Sequence, residues 1–239
     1  MSTKNLIALT LCTFLLMPFA QSQATTLTVS PTLIELNADG QAATVTVKNT
    51  DNNATTLQVL AKSWERSESQ IPHATEIFAV PPIFDLPPGG EQTIRLAARG
   101  LDGIVAEKAY LFYVKEVPGE LQVDRSALAF ALSLELPLFV RPENAKPEPV
   151  WEISRSPDGD AVINLTNTGN AHFRVDRFKV TAGDDSGLIA ENTAGAYVLA
   201  GTARYWPLDS DIAALKGPVT LDAETSLGPI QTVILPPDS

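Results

Sequence analysis

Cysteine is nearly absent from this sequence: its one copy, Cys12, lies near the start, and none follows it. Disulfides and cysteine-ligated metal sites are therefore excluded from the body of the chain, which its apolar cores alone must hold together. Histidine is almost as scarce. His73 and His172 fall on opposite sides of the proline-rich joint described below, and a zinc site would need carboxylate partners at spacings that do not occur. Basic residues are in the minority, 17 Lys and Arg against 28 Asp and Glu, for a net charge of -11. That balance argues against nucleic acid or an anionic membrane surface as the main partner. Three Trp and four Tyr are a thin supply for a sugar-binding cleft, which disfavours a carbohydrate-active enzyme.

A long hydrophobic run is also missing. The apolar stretch Leu6 to Ala20 is fifteen residues, short of the roughly 20 that span a bilayer. With Lys4 before it and Ser22-Gln23-Ala24 after it, the stretch reads as a secretory signal cleaved after Ala24, so residues 1–24 are set aside and no membrane insertion is expected afterwards. Cys12 lies inside the stretch behind Leu11, which fits no lipidation site. Catalytic motifs are wanting too. Gly183-Asp184-Asp185-Ser186-Gly187 lacks the G-x-S-x-G spacing and reads as a loop. Asp158 and Asp160 flank Gly159 as in a hairpin turn, with too few oxygens for calcium. No enzyme activity, cofactor or metal is expected.

What the chain does have is strand pattern. Thr44–Val47, Leu57–Leu60, Ile94–Leu96 and Tyr110–Val114 are β-branched, aromatic or alternating, punctuated by Asp51-Asn52-Asn53 and Pro87-Pro88-Gly89-Gly90. Ala161–Leu165, Phe173–Val175, Phe178–Val180, Tyr197–Leu199 and Gln231–Leu235 repeat the pattern further on. No stretch keeps a helical period. Between the two sets, Arg141 to Pro149 carries three prolines and four charges, which places a joint there. The fold class expected is all-β, two tandem β-sandwiches over residues 25–142 and 143–239.

One segment stands out on periodicity. Leu128, Phe130, Leu132, Leu134, Leu136 and Leu138 alternate with Ala127, Ala129, Ala131, Ser133, Glu135 and Pro137, so six large residues share one face of an extended ribbon. One reading is a strand facing its own core. The other is a strand offered to another protein, since the ribbon exceeds the usual five or six residues and Pro137 is suited to an edge.

Val80-Pro81-Pro82-Ile83-Phe84-Asp85-Leu86-Pro87-Pro88-Gly89-Gly90-Glu91-Gln92-Thr93-Ile94-Arg95, Glu107 to Pro118, and Leu136-Pro137-Leu138-Phe139-Val140-Arg141-Pro142 together resemble the periplasmic pilus-assembly chaperones of the PapD family. Val29 to Leu36, Asn167 to Asn170 and Val198 to Gly201 are similar to its archaic chaperone–usher branch. The resemblance implies two immunoglobulin-like domains set in an L, in the periplasm, with fimbrial subunits and an outer-membrane usher as partners. It implies donor-strand complementation, in which the chaperone lends a strand to an incomplete subunit, with Leu128, Phe130, Leu132 and Leu134 entering the subunit's groove. Family members hold the subunit's C-terminal carboxylate with two cations, but Leu33 and Pro137 stand at those positions, leaving Arg95 and Lys115 as candidate anchors beside the plain reading of solvated charges. Glu116 and Arg141 match an ionic contact between the domains, with Asp222 or Glu224 as a third partner, and Gly100 to Val105 is expected to shield the donor strand. Self-association of the free protein is a further expectation. The rival reading is an exported two-sandwich adhesin or pilus structural protein, which would carry its alternating segment at the mature N-terminus instead.

Overall fold

A computed structural model describes residues 27–38, 40, 42–64, 74–118, 131–156, 160–182, 187–208 and 217–236. The described residues form strands and no helix. The first nine strands are β1 (Leu27–Ser30), β2 (Ile34–Asn37), β3 (Ala43–Asn49), β4 (Thr55–Ser63), β5 (Ile77–Val80), β6 (Ile83–Leu86), β7 (Glu91–Ala98), β8 (Lys108–Glu116) and β9 (Ser133–Arg141). They make two facing sheets, ordered β1-β3-β7-β5 and β2-β9-β8-β4-β6. Alternation explains the packing: Val45 and Val47, Ile94 and Leu96, Leu57 and Val59, Phe112 and Val114, and Leu138 and Val140 point inward from their strands and form one core. The chain crosses between the sheets repeatedly, and two of these crossings, from β1 to β2 and from β5 to β6, carry a cis proline bond, at Ser30-Pro31 and Val80-Pro81.

The second sandwich comprises β10 (Pro149–Arg155), β11 (Ala161–Asn167), β12 (Phe173–Ala182), β13 (Gly187–Asn192), β14 (Ala196–Val198), β15 (Ala203–Pro207), β16 (Val219–Thr225) and β17 (Gly228–Ile234). Its sheets run β10-β11-β15 and β13-β12-β16-β17, with β14 also on β12. Phe173–Val175 and Phe178–Val180, which the sequence suggests as separate strands, are two halves of β12, whose pairing with β16 shifts between Val175 and Arg177. The local bulge returns both halves to the same core, where Phe173, Val175, Phe178 and Val180 are buried.

Each sandwich has a fully buried asparagine at one corner. Asn49 Nδ2 donates to the carbonyls of Asn53 (2.7 Å) and Leu86 (3.1 Å) while its Oδ1 accepts from Asp51 N–H at 2.9 Å. Asn167 Nδ2 likewise donates to the carbonyls of Ala171 (2.7 Å) and Val198 (3.1 Å), and its Oδ1 accepts from Glu148 N–H and Gly169 N–H, each at 3.1 Å. Satisfied this way, a buried amide holds a corner without the penalty of an unpaired polar group. Gly169 must be glycine for a spatial reason. A Cβ there would lie 2.6 Å from Glu148 N in the segment that joins the sandwiches.

Candidate functional site

The stripe of large residues ends in β9, and its burial changes along the strand. Val140 and Leu138 are 0% exposed and Leu136 is 8% exposed, whereas Leu134 and Leu132 are only half-buried. Leu134 packs against the same core as Leu136, Leu138 and Val140. The core therefore runs out before the stripe does, leaving apolar surface uncovered at its near end.

Backbone groups on β9 alternate as the side chains do. Glu116 N–H donates to Leu132 O at 2.9 Å, and the antiparallel ladder runs from Lys115 opposite Ser133 to Lys108 opposite Val140. Even-numbered residues of β9 therefore turn their N–H and C=O toward β8, and odd-numbered ones toward the other edge. On that other edge Arg141 O accepts from Ala38 N–H at 3.0 Å, and β2 pairs in parallel from Leu138 onward. Ser133 and Glu135 thus aim their backbone groups into a lane that holds no strand among the described residues. Such an edge is a template for another chain. Pro137 stands where the lane meets β2, at an odd position whose missing N–H costs the β8 ladder nothing.

The odd-numbered side chains of β9 share a face with Tyr113 and Lys115 of β8 and Lys62 of β4. The ammonium groups of Lys62 and Lys115 lie 5.5 and 4.8 Å from the Tyr113 ring centre, within cation–π range. Burial, followed by the Glu135 carboxylate opposite, pushes the Tyr113 phenol above its ordinary pKa. Further along this face Phe139 is fully buried against the second sandwich. Its ring stacks on His172 at 3.5 Å and 12°, with Trp64 at 5.8 Å and Tyr197 at 5.7 Å completing the cluster. Glu107, its side chain 1% exposed, closes the junction. Its Oε1 accepts from His172 N–H at 2.9 Å and lies 2.7 Å from His172 Nδ1. Its Oε2 is 3.6 Å from Arg141 Nε, and Arg141 Nη1 also meets Glu35 of β2 at 3.0 Å. Asn170 adds a polar clamp, donating to the carbonyls of Val105 (2.9 Å) and Asn144 (3.1 Å).

Several residues singled out from the sequence lie elsewhere than expected. Leu128 and Phe130 are outside the described residues, as is His73. Glu116 and Arg141 are not brought together. They sit at opposite ends of the β8–β9 ladder, roughly 30 Å apart at about 3.4 Å per residue, and Glu116 instead accepts from Thr55 Oγ1 at 2.8 Å and Leu132 N–H at 3.3 Å. Nor do Asp222 and Glu224 reach the junction, for they pair with Lys179 and Arg177 on the outer face of the second sandwich. Arg95 is exposed on β7, in the sheet that does not contain β9, so it cannot line the open edge. Leu33 precedes β2 directly, and extending the parallel register sets it beside Pro137. The segment Gly100 to Val105 is far from Ser133. Its later part lines a cavity of about 840 Å³ with Arg141, Asn144 and Asn170 at the opposite end of β9.

From the sequence, neither Glu107 nor His172 was placed at the junction, nor was Phe139 given a role. One signal for Phe139 was visible: Leu138-Phe139-Val140 breaks the alternation, and three consecutive apolar residues in a strand mean burial on both faces.

Residues 26–146, just over half of the chain, match the family described as pili and flagellar-assembly chaperone, PapD N-terminal domain. The chain belongs to this family. No curated protein sequence matches the chaperone. Solved structures share its fold across both sandwiches. A chaperone–tip adhesion subunit pre-assembly complex from the archaic chaperone–usher Csu pili of Acinetobacter baumannii matches with a TM-score of 0.62 at 19% identity, over 87% of this chain and 98% of the other. The YadV chaperone gives 0.61 at 18% identity over 87% and 98%. The Salmonella enterica SafB chaperone in complex with the SafA pilin gives 0.59 at 19% over 89% and 98%. The fold is therefore that of a two-domain pilus chaperone, and its open β9 edge, at Ser133 and Glu135, lies toward the other end of the strand from the junction at which Glu107 and Phe139 meet His172.

Proposed function

We propose that this chaperone captures fimbrial subunits in the periplasm by donor-strand complementation along β9 and passes them to an outer-membrane usher. The observation that carries the reading is the coincidence, along one stretch of chain, of apolar side chains at Leu132 and Leu134 that the described core covers only in part with backbone at Ser133 and Glu135 that faces no strand among the described residues. Complementation needs both: side chains to fill a groove and an edge to complete a ladder. Leu128 and Phe130 continue the same alternation in the sequence. The likeness to chaperones solved with a pilin or a tip subunit supports the reading.

The subunit's carboxylate has no cation at Leu33 or Pro137 to meet it. Among the described residues Lys115, aided by Lys62 beside the same Tyr113 ring, is the cationic group on the face flanking the open edge. Delivery requires a second contact while the subunit is held. The edge formed by β5 and β6, opposite the open one, leaves Phe78, Val80 and Ile83 exposed for that purpose. When empty, the open edge is also where two copies would associate.

Periplasmic co-expression with the fimbrial subunits encoded nearby tests the proposal. The wild type is expected to co-purify with a subunit, and Phe130→Asp and Leu132→Asp to lose it while staying folded and soluble. If the wild type captures nothing, or the charged variants simply unfold, the stripe belongs to the chain's own core and the two-sandwich adhesin reading takes its place.

A further inference from the structure

The open lane beside β9 has a defined end. Even-numbered residues of β9 give their backbone groups to β8, and odd-numbered ones face the lane, as the bond from Ala38 N–H to Arg141 O demonstrates where β2 fills it. Going from Ser133 toward Arg141, the lane offers an N–H and a C=O at Ser133 and again at Glu135, then no N–H at Pro137, and from Leu138 onward β2 itself. Two independent features thus close the lane at one place. Proline withdraws the next donor, and the chain entering β2 occupies the space beyond. Leu33, 36% exposed, stands at that entry, so the wall a guest strand meets there is apolar on both sides and uncharged.

We propose that Pro137, backed by Leu33, is a register stop: a guest strand added to this edge ends opposite Pro137 with its last side chain against Leu33. The inference rests on the chaperone reading above and adds how the guest is aligned. Registration matters because side chains alternate every residue. A slip of one would turn the guest's apolar face away from Leu132 and Leu134, and a slip of two would move every anchor to the wrong pocket. A clamp of cations reads a chain end by its charge. A missing donor followed by an occupied lane reads it by geometry, whatever the charge there.

The near absence of cysteine makes the register directly measurable. A cysteine is placed at the last residue of the co-expressed fimbrial subunit and paired in turn with Leu33→Cys and Ser133→Cys in the chaperone, and disulfide-linked complexes are counted on non-reducing gels. Linkage is expected with Leu33→Cys and not with Ser133→Cys. Adding Pro137→Ala, which restores an N–H to the lane, is expected to make the register mixed, so that a cysteine two residues before the subunit's end also links to Leu33→Cys. Linkage through Ser133→Cys, or a single unchanged register in Pro137→Ala, would overturn the stop while leaving capture intact. Failure of the wild type to capture any subunit would instead defeat the chaperone reading, and the stop with it.

Discussion

The gradient of burial along β9 separates two kinds of leucine that the sequence presents as equals. Leu138 is 0% exposed and Leu132 is half-buried. Truncating Leu138 to alanine removes fully packed atoms and leaves a cavity, which costs about 2–5 kcal/mol of stability. For a domain of this size, a loss near 3 kcal/mol lowers the melting temperature by roughly 10–20 °C. At Leu132 most of the roughly 1.5–3 kcal/mol available from burying a leucine is already realised in the free protein, so Leu132→Ala is expected to cost about 1–2 kcal/mol of stability. The remainder, at most about a third or roughly 0.5–1 kcal/mol, is left to be gained when a subunit covers the residue. Its loss weakens capture by about two- to fivefold. Leu138 has no exposed surface left to bury, so Leu138→Ala should leave the affinity of the folded fraction unchanged. Thermal unfolding of the purified variants, with subunit affinity measured at a temperature where all are folded, gives both quantities. Equal loss of stability in the two variants, or affinity that merely follows stability, would refute the assignment of Leu132 to a partner's groove.

Three further outcomes are expected. Lys115→Ala should weaken subunit capture and Arg95→Ala should not, because Arg95 lies on the sheet that does not contain β9; pull-down of the two variants side by side decides it. Glu107→Ala removes the acceptor shared by His172 N–H and Nδ1 and leaves buried donors unpaired at about 1–3 kcal/mol each. Calorimetry should then resolve two unfolding transitions in place of one, and small-angle scattering should register a changed domain orientation. At Glu76, burial works to raise the carboxyl pKa, but hydrogen bonds, led by the one from Tyr110 Oη at 2.8 Å, outweigh it and hold the group below its ordinary 4.5. A depressed native pKa contributes stability above the unfolded value and loses it as pH falls through the native one. The stability gap between wild type and Tyr110→Phe should therefore be full at pH 7 and shrink as the solution is acidified below about 4.5, as denaturant titrations at each pH would reveal.

The strands themselves were legible in the sequence because they depend on local alternation. Val45, Val47, Leu57, Val59, Ile163 and Leu165 could be assigned to inward faces from their neighbours alone. A second signal went unused. Asn49-Thr50-Asp51-Asn52 and Asn167-Thr168-Gly169-Asn170 are near repeats, and each begins with the buried asparagine that pins a corner of its sandwich. Periodicity failed at the junction. Glu116 was assigned to the interdomain contact by resemblance to family positions, yet it is Glu107, just before β8 begins, that stands at the end where the second sandwich meets the first. Which end of a strand faces another domain cannot be read from alternation.

Sequence alone established the all-β class, the two sandwiches and the single ribbon with one apolar face, because these follow from the two-residue period of an extended chain. It also determined that no cation stands at Leu33 or Pro137. Tertiary packing settled where the ribbon stops being core and becomes edge. That depends on how far β2 extends along β9, a contact between residues about a hundred positions apart in the chain. It likewise decided that Phe139, Glu107, Arg141 and His172 meet, since a junction between domains is set by the packing of surfaces whose residues have no periodic relation in sequence.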